Sequence, residues 1–200
     1  MNQRKMVETP EQFAEDLINQ ICLHRPALPN SIPDNRAKAT KAIATILRLM
    51  ANQRKYKFRP WKLRERREFL CDFVWLRWQR SHPMYLKDLE LAAECEWIHR
   101  PGGRHILYDF QLLPIKARFK LFIFMIPPGA KRGTKKKVID RIEAAIRGYE
   151  RNIPDESFFL LEVDRKREAE RATIYYATVP PTGVANLSFT QSITQSIDCY

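Results

Sequence analysis

The chain has 200 residues, of which 44% are hydrophobic and 29% charged, a composition typical of globular proteins rather than disordered or fibrous ones. No apolar run approaches the ~20 residues of a membrane span, and no signal-peptide core follows the N-terminus, so no membrane association is expected. Lys and Arg number 35 against 23 acidic residues, a net charge of +12. This excess favours a polyanionic partner such as nucleic acid, although it also fits a charge that only aids solubility.

The four cysteines are far apart in the sequence and include no C-x-x-C pair. This spacing favours neither a structural zinc site nor a disulfide scaffold. It indicates a reducing compartment, and we therefore expect a cytoplasmic location.

Two helices are predicted near the N-terminus. Thr9 can cap the first helix, Pro10 suits its first turn, and Gln12 completes a capping box. After a proline-rich connection over residues 24–33, Asp34 can cap a second helix with regularly spaced apolar residues.

A basic segment follows at residues 54–67, where eight of fourteen residues are cationic and three aromatic residues are interleaved. Cations mixed with aromatic rings suit phosphate contacts combined with base stacking. The alternative is that the rings belong to the core and the cations form a solvated face. The nucleic-acid contacts predicted here are Arg54, Lys55, Lys57 and Arg59.

Two strands are predicted over residues 68–78 and 88–97. Asp72 is a lone carboxylate in the apolar first strand, where a metal or a hydrogen-bonded partner would offset its burial. In the second strand Glu94 and Glu96 share a face about 7 Å apart, a spacing that a hard divalent cation would stabilise. The alternatives are an exposed edge-strand aspartate and an antiparallel strand with one wet, acidic face.

The C-terminal half alternates helices and strands. A helix is predicted over 106–118, a buried strand over 119–126, a long helix capped by Thr134, and two strands near 157–163 and 172–178. This order predicts an α/β fold with a mixed central sheet flanked by helices, in one domain over residues 1–179. Residues 180–200, rich in Ser, Thr and Gln, are expected to form a flexible tail.

An acid in one apolar strand, Glu94-x-Glu96 in the next, a helix with Lys116 and a buried strand together resemble the PD-(D/E)XK nuclease superfamily. The resemblance covers residues 68–126 and implies a restriction-endonuclease-like core. Asp72 matches the aspartate of the family's first site strand, and Glu94 matches the acid of the (D/E)-x-K element. The sequence departs from the family at Glu96, where the lysine is usual.

The resemblance implies hydrolysis of phosphodiester bonds with Mg²⁺ (or Mn²⁺) as cofactor. Asp72 and Glu94 would hold the metal, and Glu96 would be a further ligand or a general base. The missing lysine would come from the following helix, as Lys116 or secondly as Lys120, to position water or stabilise the transition state.

A second basic segment places Lys135, Lys136 and Lys137 in the first turn of a helix. Cations there oppose the helix dipole, and a phosphate docked at the helix N-terminus would explain them. These lysines are therefore predicted to contact nucleic acid, and we favour DNA over RNA.

Three functions remain open from the sequence. The first is a metal-dependent endonuclease in restriction, mobile-element or defence biology, for which a homodimer would suit cutting of both strands. The second is a non-catalytic nucleic-acid-binding or accessory protein that retains a degenerate nuclease fold. The third is an interaction subunit whose basic face meets an acidic protein, and weak salt dependence of nucleic-acid binding would support it.

Overall fold

A computed structural model shows a seven-stranded mixed β-sheet flanked by helices. The structure describes residues 8–24, 36–60, 71–78, 86–96, 112–126, 133–149, 153–166, 169–183 and 187–197. Within these ranges the helices are α1 (Pro10–Leu23), α2 (Arg36–Gln53) and α3 (Thr134–Gly148). The strands are β1 (Lys57–Arg59), β2 (Phe73–Trp78), β3 (Leu86–Glu96), β4 (Phe119–Ile126), β5 (Ser157–Lys166), β6 (Ala169–Thr178) and β7 (Gln191–Ile197).

The strand order across the sheet is the order along the chain, β1 to β7. The first three strands pair antiparallel, β3, β4 and β5 pair parallel, and β5, β6 and β7 pair antiparallel. The predicted α/β fold with a mixed, helix-flanked sheet is confirmed.

Both faces of the sheet are covered, which explains the almost continuous apolar run of β4. On one face, the α1/α2 face, Leu121 and Ile123 pack in the cluster that holds Phe13 of α1. On the other, the α3 face, Phe122 and Phe124 pack with residues of α3. Because neighbouring residues of a strand point to opposite faces, this assignment also fixes the faces of the residues of β5 and of β3 from Leu91 to Glu96.

Helix α1 begins as its sequence predicts. The Thr9 hydroxyl accepts a hydrogen bond from the Gln12 backbone N–H at 3.2 Å, and the Gln12 side chain accepts one from the Thr9 N–H at 2.8 Å. Helix α3 differs, because Gly133 occupies the N-cap with φ of 85° and provides no side-chain cap. The expected cap, Thr134, is the first residue inside the helix. The predicted cap of α2, Asp34, lies outside the described residues.

The predicted tail over residues 180–200 is corrected for residues 191–197, which pair with β6 as strand β7. Polar Ser, Thr and Gln side chains suffice there because much of the strand is exposed at the edge of the sheet. The helix predicted over 106–118 is also corrected in part. Residues 112–115 form a turn ahead of β4, and residues 106–111 lie outside the described ranges.

Candidate active site

The two glutamates of β3 lie near its carboxyl end, where the strand runs parallel to β4. Ala92 packs in the core of the α3 face, and Cys95 packs against the core of the α1/α2 face. Strand alternation therefore directs Glu94 and Glu96 to the α3 face, in agreement with their predicted common face. The alternation stops at Glu90, where the β2–β3 register shifts by one residue.

Asp72 lies beside these glutamates. It precedes β2 by one residue, and its Oδ2 accepts a hydrogen bond of 2.9 Å from the backbone N–H of Cys95. Cys95 separates Glu94 from Glu96 in β3. The structure thus anchors the Asp72 carboxylate on the strand that carries Glu94 and Glu96, although Asp72 lies more than twenty residues earlier in the sequence.

Asp72, Glu94 and Glu96 offer carboxylate oxygens of the kind that bind magnesium, but they do not surround a metal position on all sides. Carboxylate oxygens are hard ligands, and Mg²⁺ commonly uses one or two of them together with waters and substrate phosphates. Among the residues that the structure describes, no group of three or more His, Cys, Asp or Glu side chains is arranged to hold a metal ion. The described carboxylates therefore do not form a complete metal cage, and a metal bound at Asp72 and Glu94 would need further ligands from water and substrate.

Lys116 is not brought to these acids. It is exposed and lines a cavity of about 440 Å³ together with residues 86–90, at the amino end of β3. The nearby Arg118 N–H donates to the Leu89 carbonyl at 3.1 Å. At about 3.3 Å per residue, Leu89 and Glu94 are roughly 16 Å apart. The structure thus places Lys116 at the opposite end of the strand from Glu94.

Lys120, the second lysine considered, points to a different carboxylate. It lies opposite Ala92 on the α3 face, but its Nζ donates to Glu156 Oε2 at 2.7 Å and to the Leu113 carbonyl at 3.1 Å. Burial lowers the pKa of Lys120, and the interaction with Glu156 only partly opposes that effect. These contacts make Lys120 part of a buried ion pair.

A second polar cluster on the α3 face, formed by Glu162, Lys135 and Tyr175, was not predicted from the sequence. Glu162 of β5 is only 2% exposed, and its Oε2 is 2.5 Å from Lys135 Nζ and accepts a hydrogen bond from the Tyr175 hydroxyl at 3.1 Å. Burial alone would lower the pKa of Lys135, but the interactions with Glu162 and Tyr175 outweigh it and raise that pKa. A carboxylate directly after the apolar run Phe158–Leu161 of β5 was the available signal, of the same kind as that for Asp72.

The position of this cluster relative to the acids follows from the strand register. Glu96 lies opposite Phe124 of β4, and Phe124 lies opposite Glu162 of β5. Two strand spacings of about 4.8 Å place Glu96 and Glu162 roughly 10 Å apart. Lys135 is therefore held on the same face and at the same level as the acids, with the buried Phe124 between them.

A cation lies at a similar distance on the other side. Arg59 of β1 is opposite Val74, which is opposite Ala92, two residues before Glu94. Phe58 belongs to the α1/α2 face, so Arg59 points to the α3 face by alternation. Arg59 on β1, and Lys135 through its contact with Glu162 on β5, thus flank the acids on either side.

The remaining residues predicted to bind nucleic acid divide into two groups. Lys55, Lys57 and Lys137 are exposed, and Lys136 is exposed while paired with Asp140 at 2.7 Å. Arg54 is different, because its side chain is 14% exposed and forms ion pairs with Glu8 and Asp16. Arg54 therefore joins the end of α2 to the start of α1.

The interleaved aromatic residues belong to the core where the structure describes them. Phe58 is buried and stacks on Phe73 with ring centroids 5.7 Å apart, and Tyr56 packs against Trp75 at 6.0 Å. These rings do not form a base-stacking surface, so the core alternative holds for both of them. Trp61 lies outside the described residues.

Comparison with known proteins assigns no family. No protein-family model matches the sequence, and no match was found among curated proteins or solved structures. Across the part of the chain that the structure describes, no helix has both the length and the hydropathy of a membrane crossing. The function is therefore argued from the positions and chemistry of the residues of the chain itself.

Proposed function

We propose that this protein is a metal-dependent nuclease that hydrolyses phosphodiester bonds, with its centre at Asp72, Glu94 and Glu96. The observation that carries the proposal is the hydrogen bond from the Cys95 N–H to Asp72, which ties the Asp72 carboxylate to the backbone between the two glutamates of β3. The carboxylates of Glu94 and Glu96, about 7 Å apart on one face of β3, repel one another, and a divalent cation relieves that repulsion. The resemblance to the PD-(D/E)XK superfamily supports the same reaction.

Each acid of the site would have its own role in the proposed reaction. Asp72 and Glu94 would hold Mg²⁺ or Mn²⁺, which when bound supplies an acidified water and neutralises charge on the phosphate. Glu96 would accept a proton from the attacking water or serve as a further ligand. The Cys95 N–H fixes the Asp72 carboxylate, so one ligand is oriented before substrate arrives.

The electrostatics around the site favour a nucleic-acid strand as the substrate. Arg59 of β1 lies on one side of the acids and Lys135, paired with Glu162 of β5, lies on the other, and the exposed Lys136 and Lys137 follow on α3. Contacts of cations with successive phosphates give affinity without sequence preference. We propose DNA before RNA as the substrate and a cytoplasmic setting, where cysteines that form no disulfide, such as Cys22 and Cys71, stay reduced.

A second function, binding of nucleic acid without cleavage, is favoured by the positions of two lysines. Lys116 lies at the far end of β3, and Lys120 is paired with Glu156. Neither therefore provides the lysine that the nuclease family places beside its acids. A chain with Asp72 and Glu94 but without that lysine would bind a metal and a phosphate backbone while hydrolysing slowly or not at all.

The decisive experiment is cleavage of plasmid DNA and of single-stranded RNA in the presence of Mg²⁺ or Mn²⁺. Wild type is compared with Asp72→Asn and Glu94→Gln, which keep the shape of each side chain and remove its charge. Asp88→Asn is the matched control, because Asp88 is a half-buried acid at the other end of β3 that pairs with Arg77 at 2.6 Å. We expect both site variants to lose metal-dependent cleavage and the control to retain it.

The other outcomes have distinct meanings. Salt-sensitive binding of nucleic acid by a wild type that does not cut would favour the non-catalytic function. Cleavage that survives both site substitutions would refute the proposed centre. Because the substrate completes the metal coordination, calcium or manganese should bind more tightly when DNA is present, and equal affinity with and without DNA would contradict the two-carboxylate arrangement.

A further inference from the structure

Strand β7 forms one edge of the sheet and pairs with β6 among the strands that the structure describes. The outer side of an edge strand presents a row of backbone N–H and C=O groups. Proteins usually protect such edges with charged side chains, prolines or bulges. The sequence of β7, Gln191 to Ile197, contains no charged residue and no proline, and its pairing with β6 is free of register shifts.

We propose that β7 pairs with β7 of a second copy of this chain and forms a two-fold symmetric dimer with a continuous sheet. An antiparallel arrangement centred on Thr194 places Thr194 opposite the partner's Thr194 and Gln195 opposite the partner's Ile193. Every pair occurs twice because of the symmetry, as an isologous interface requires. Opposed threonines form favourable cross-strand pairs, and no like charges meet.

The surface next to this edge supports a second copy as the occupant. Leu23, at the end of α1, is 71% exposed, the largest exposure among the large apolar side chains described. Its neighbour Cys22 donates from Sγ to Gln195 Oε1 at 3.4 Å, which places the end of α1 beside the middle of β7. Gln195 would face the partner's Ile193, so each Leu23 would be covered by an apolar residue of the other copy.

The charge distribution also favours contact between two copies at the β7 edge. A chain with a net charge of +12 repels its copies over most orientations, and the uncharged β7 edge allows backbones to approach without opposing cations. Salt screens the remaining repulsion, so dimerisation should strengthen as salt is added. Nucleic-acid binding would weaken under the same change, which separates this inference from the proposed nuclease function.

The size of the contact sets the expected affinity. Seven residues at about 3.3 Å give an edge roughly 23 Å long. A single strand pair with one leucine on each side buries less than the ~800 Å² per partner of a standard interface. The dimer should therefore have a micromolar dissociation constant and be populated only at the higher protein concentrations.

The test is sedimentation of the full chain from about 1 to about 300 µM, a range that spans a micromolar dissociation constant. Wild type should shift from monomer to dimer with concentration. Thr194→Lys places two cations opposite each other and should remain monomeric throughout. Thr45→Lys, which adds the same charge at an exposed threonine of α2, is the control and should dimerise as wild type does. A wild type that is monomeric at every concentration, or a Thr194→Lys variant that dimerises, would overturn the proposal.

A cysteine variant tests the register without depending on the fold of Thr194→Lys. Directly opposed residues have Cβ atoms about 4.5–5.5 Å apart, close to the separation of about 3.5–4.5 Å in a disulfide. Oxidised Thr194→Cys should therefore give a covalent dimer above the wild-type background. Gln191→Cys, whose residue would face position 197, should not. Equal cross-linking of the two variants would exclude the two-fold axis at Thr194.

Discussion

The ion pair between Lys120 and Glu156 provides the sharpest test of how the core is held together. The side chains are 1% and 5% exposed, and Lys120 Nζ lies 2.7 Å from Glu156 Oε2. Lys120→Met keeps a long, unbranched side chain but removes the charge. The Glu156 carboxylate is then left buried without the lysine that compensates for its desolvation.

The cost of this substitution can be estimated from the burial of both groups. Removing one partner of a buried pair typically costs about 3–5 kcal/mol, whereas replacing both partners is often close to neutral. For a chain of this length each kcal/mol changes the melting temperature by about 2–4 °C, so Lys120→Met should melt roughly 6–20 °C lower. The double variant Lys120→Met/Glu156→Gln should recover most of the lost stability.

The measurement is urea unfolding followed by tryptophan fluorescence and circular dichroism. Lys136→Met is the control, because Lys136 pairs with Asp140 at the surface of α3 and such pairs contribute about 0.3–0.5 kcal/mol. If Lys120→Met were no more destabilised than this control, the lysine would not be a structural partner of Glu156. If Lys120→Met instead lost the proposed metal-dependent cleavage while keeping full stability, the result would support the catalytic role that the sequence suggested for Lys120.

Two other predictions concern Arg54 and Tyr175. Arg54→Met should destabilise the fold by about 1.5–3 kcal/mol in the same urea assay, because the nearly buried Glu8 loses a charged hydrogen-bond partner, and a loss below ~0.5 kcal/mol would contradict this. Burial, together with the Glu162 carboxylate, raises the pKa of Tyr175 above its ordinary value of 10.0. A folded-state pKa above the unfolded one means that the stabilisation is complete below pH 10 and is lost as the pH rises through the folded value. The absorbance titration of wild type minus that of Tyr175→Phe should therefore show one phenol ionising above pH 10, and a midpoint at or below 10 would refute the assignment.

The sequence predicts those parts of the fold whose signals are local. Thr9 and Gln12 define the start of α1 through two short-range hydrogen bonds, and the apolar run of β4 requires cover on both faces. Strand β7 has no such signal, because an exposed edge can be built from Ser, Thr and Gln. Its pairing depends on β6, which the composition of the segment does not reveal.

The same distinction explains the outcome at the site. Glu94 and Glu96 share a face because strand alternation is local, and Asp72 was singled out because a carboxylate in an apolar segment needs a partner. The positions of the lysines depend on how distant segments pack. Lys116 follows the turn that leads into β4, and Lys135 is placed by its contact with Glu162 on a strand more than twenty residues later. Spacing along the chain carries no information about either contact.

The agreement between strand order and chain order has a consequence for how the molecule is made. Each strand pairs with the one synthesised just before it, so the emerging chain extends the sheet at one growing edge and never inserts a strand between two that are already paired. Such neighbouring pairings close shorter loops and fold faster than shuffled ones. The strands that carry Glu94 and follow Asp72 are thus synthesised as neighbours, ahead of β5. The last strand to emerge is β7, and a second copy joining there would continue the same stepwise growth by one more strand.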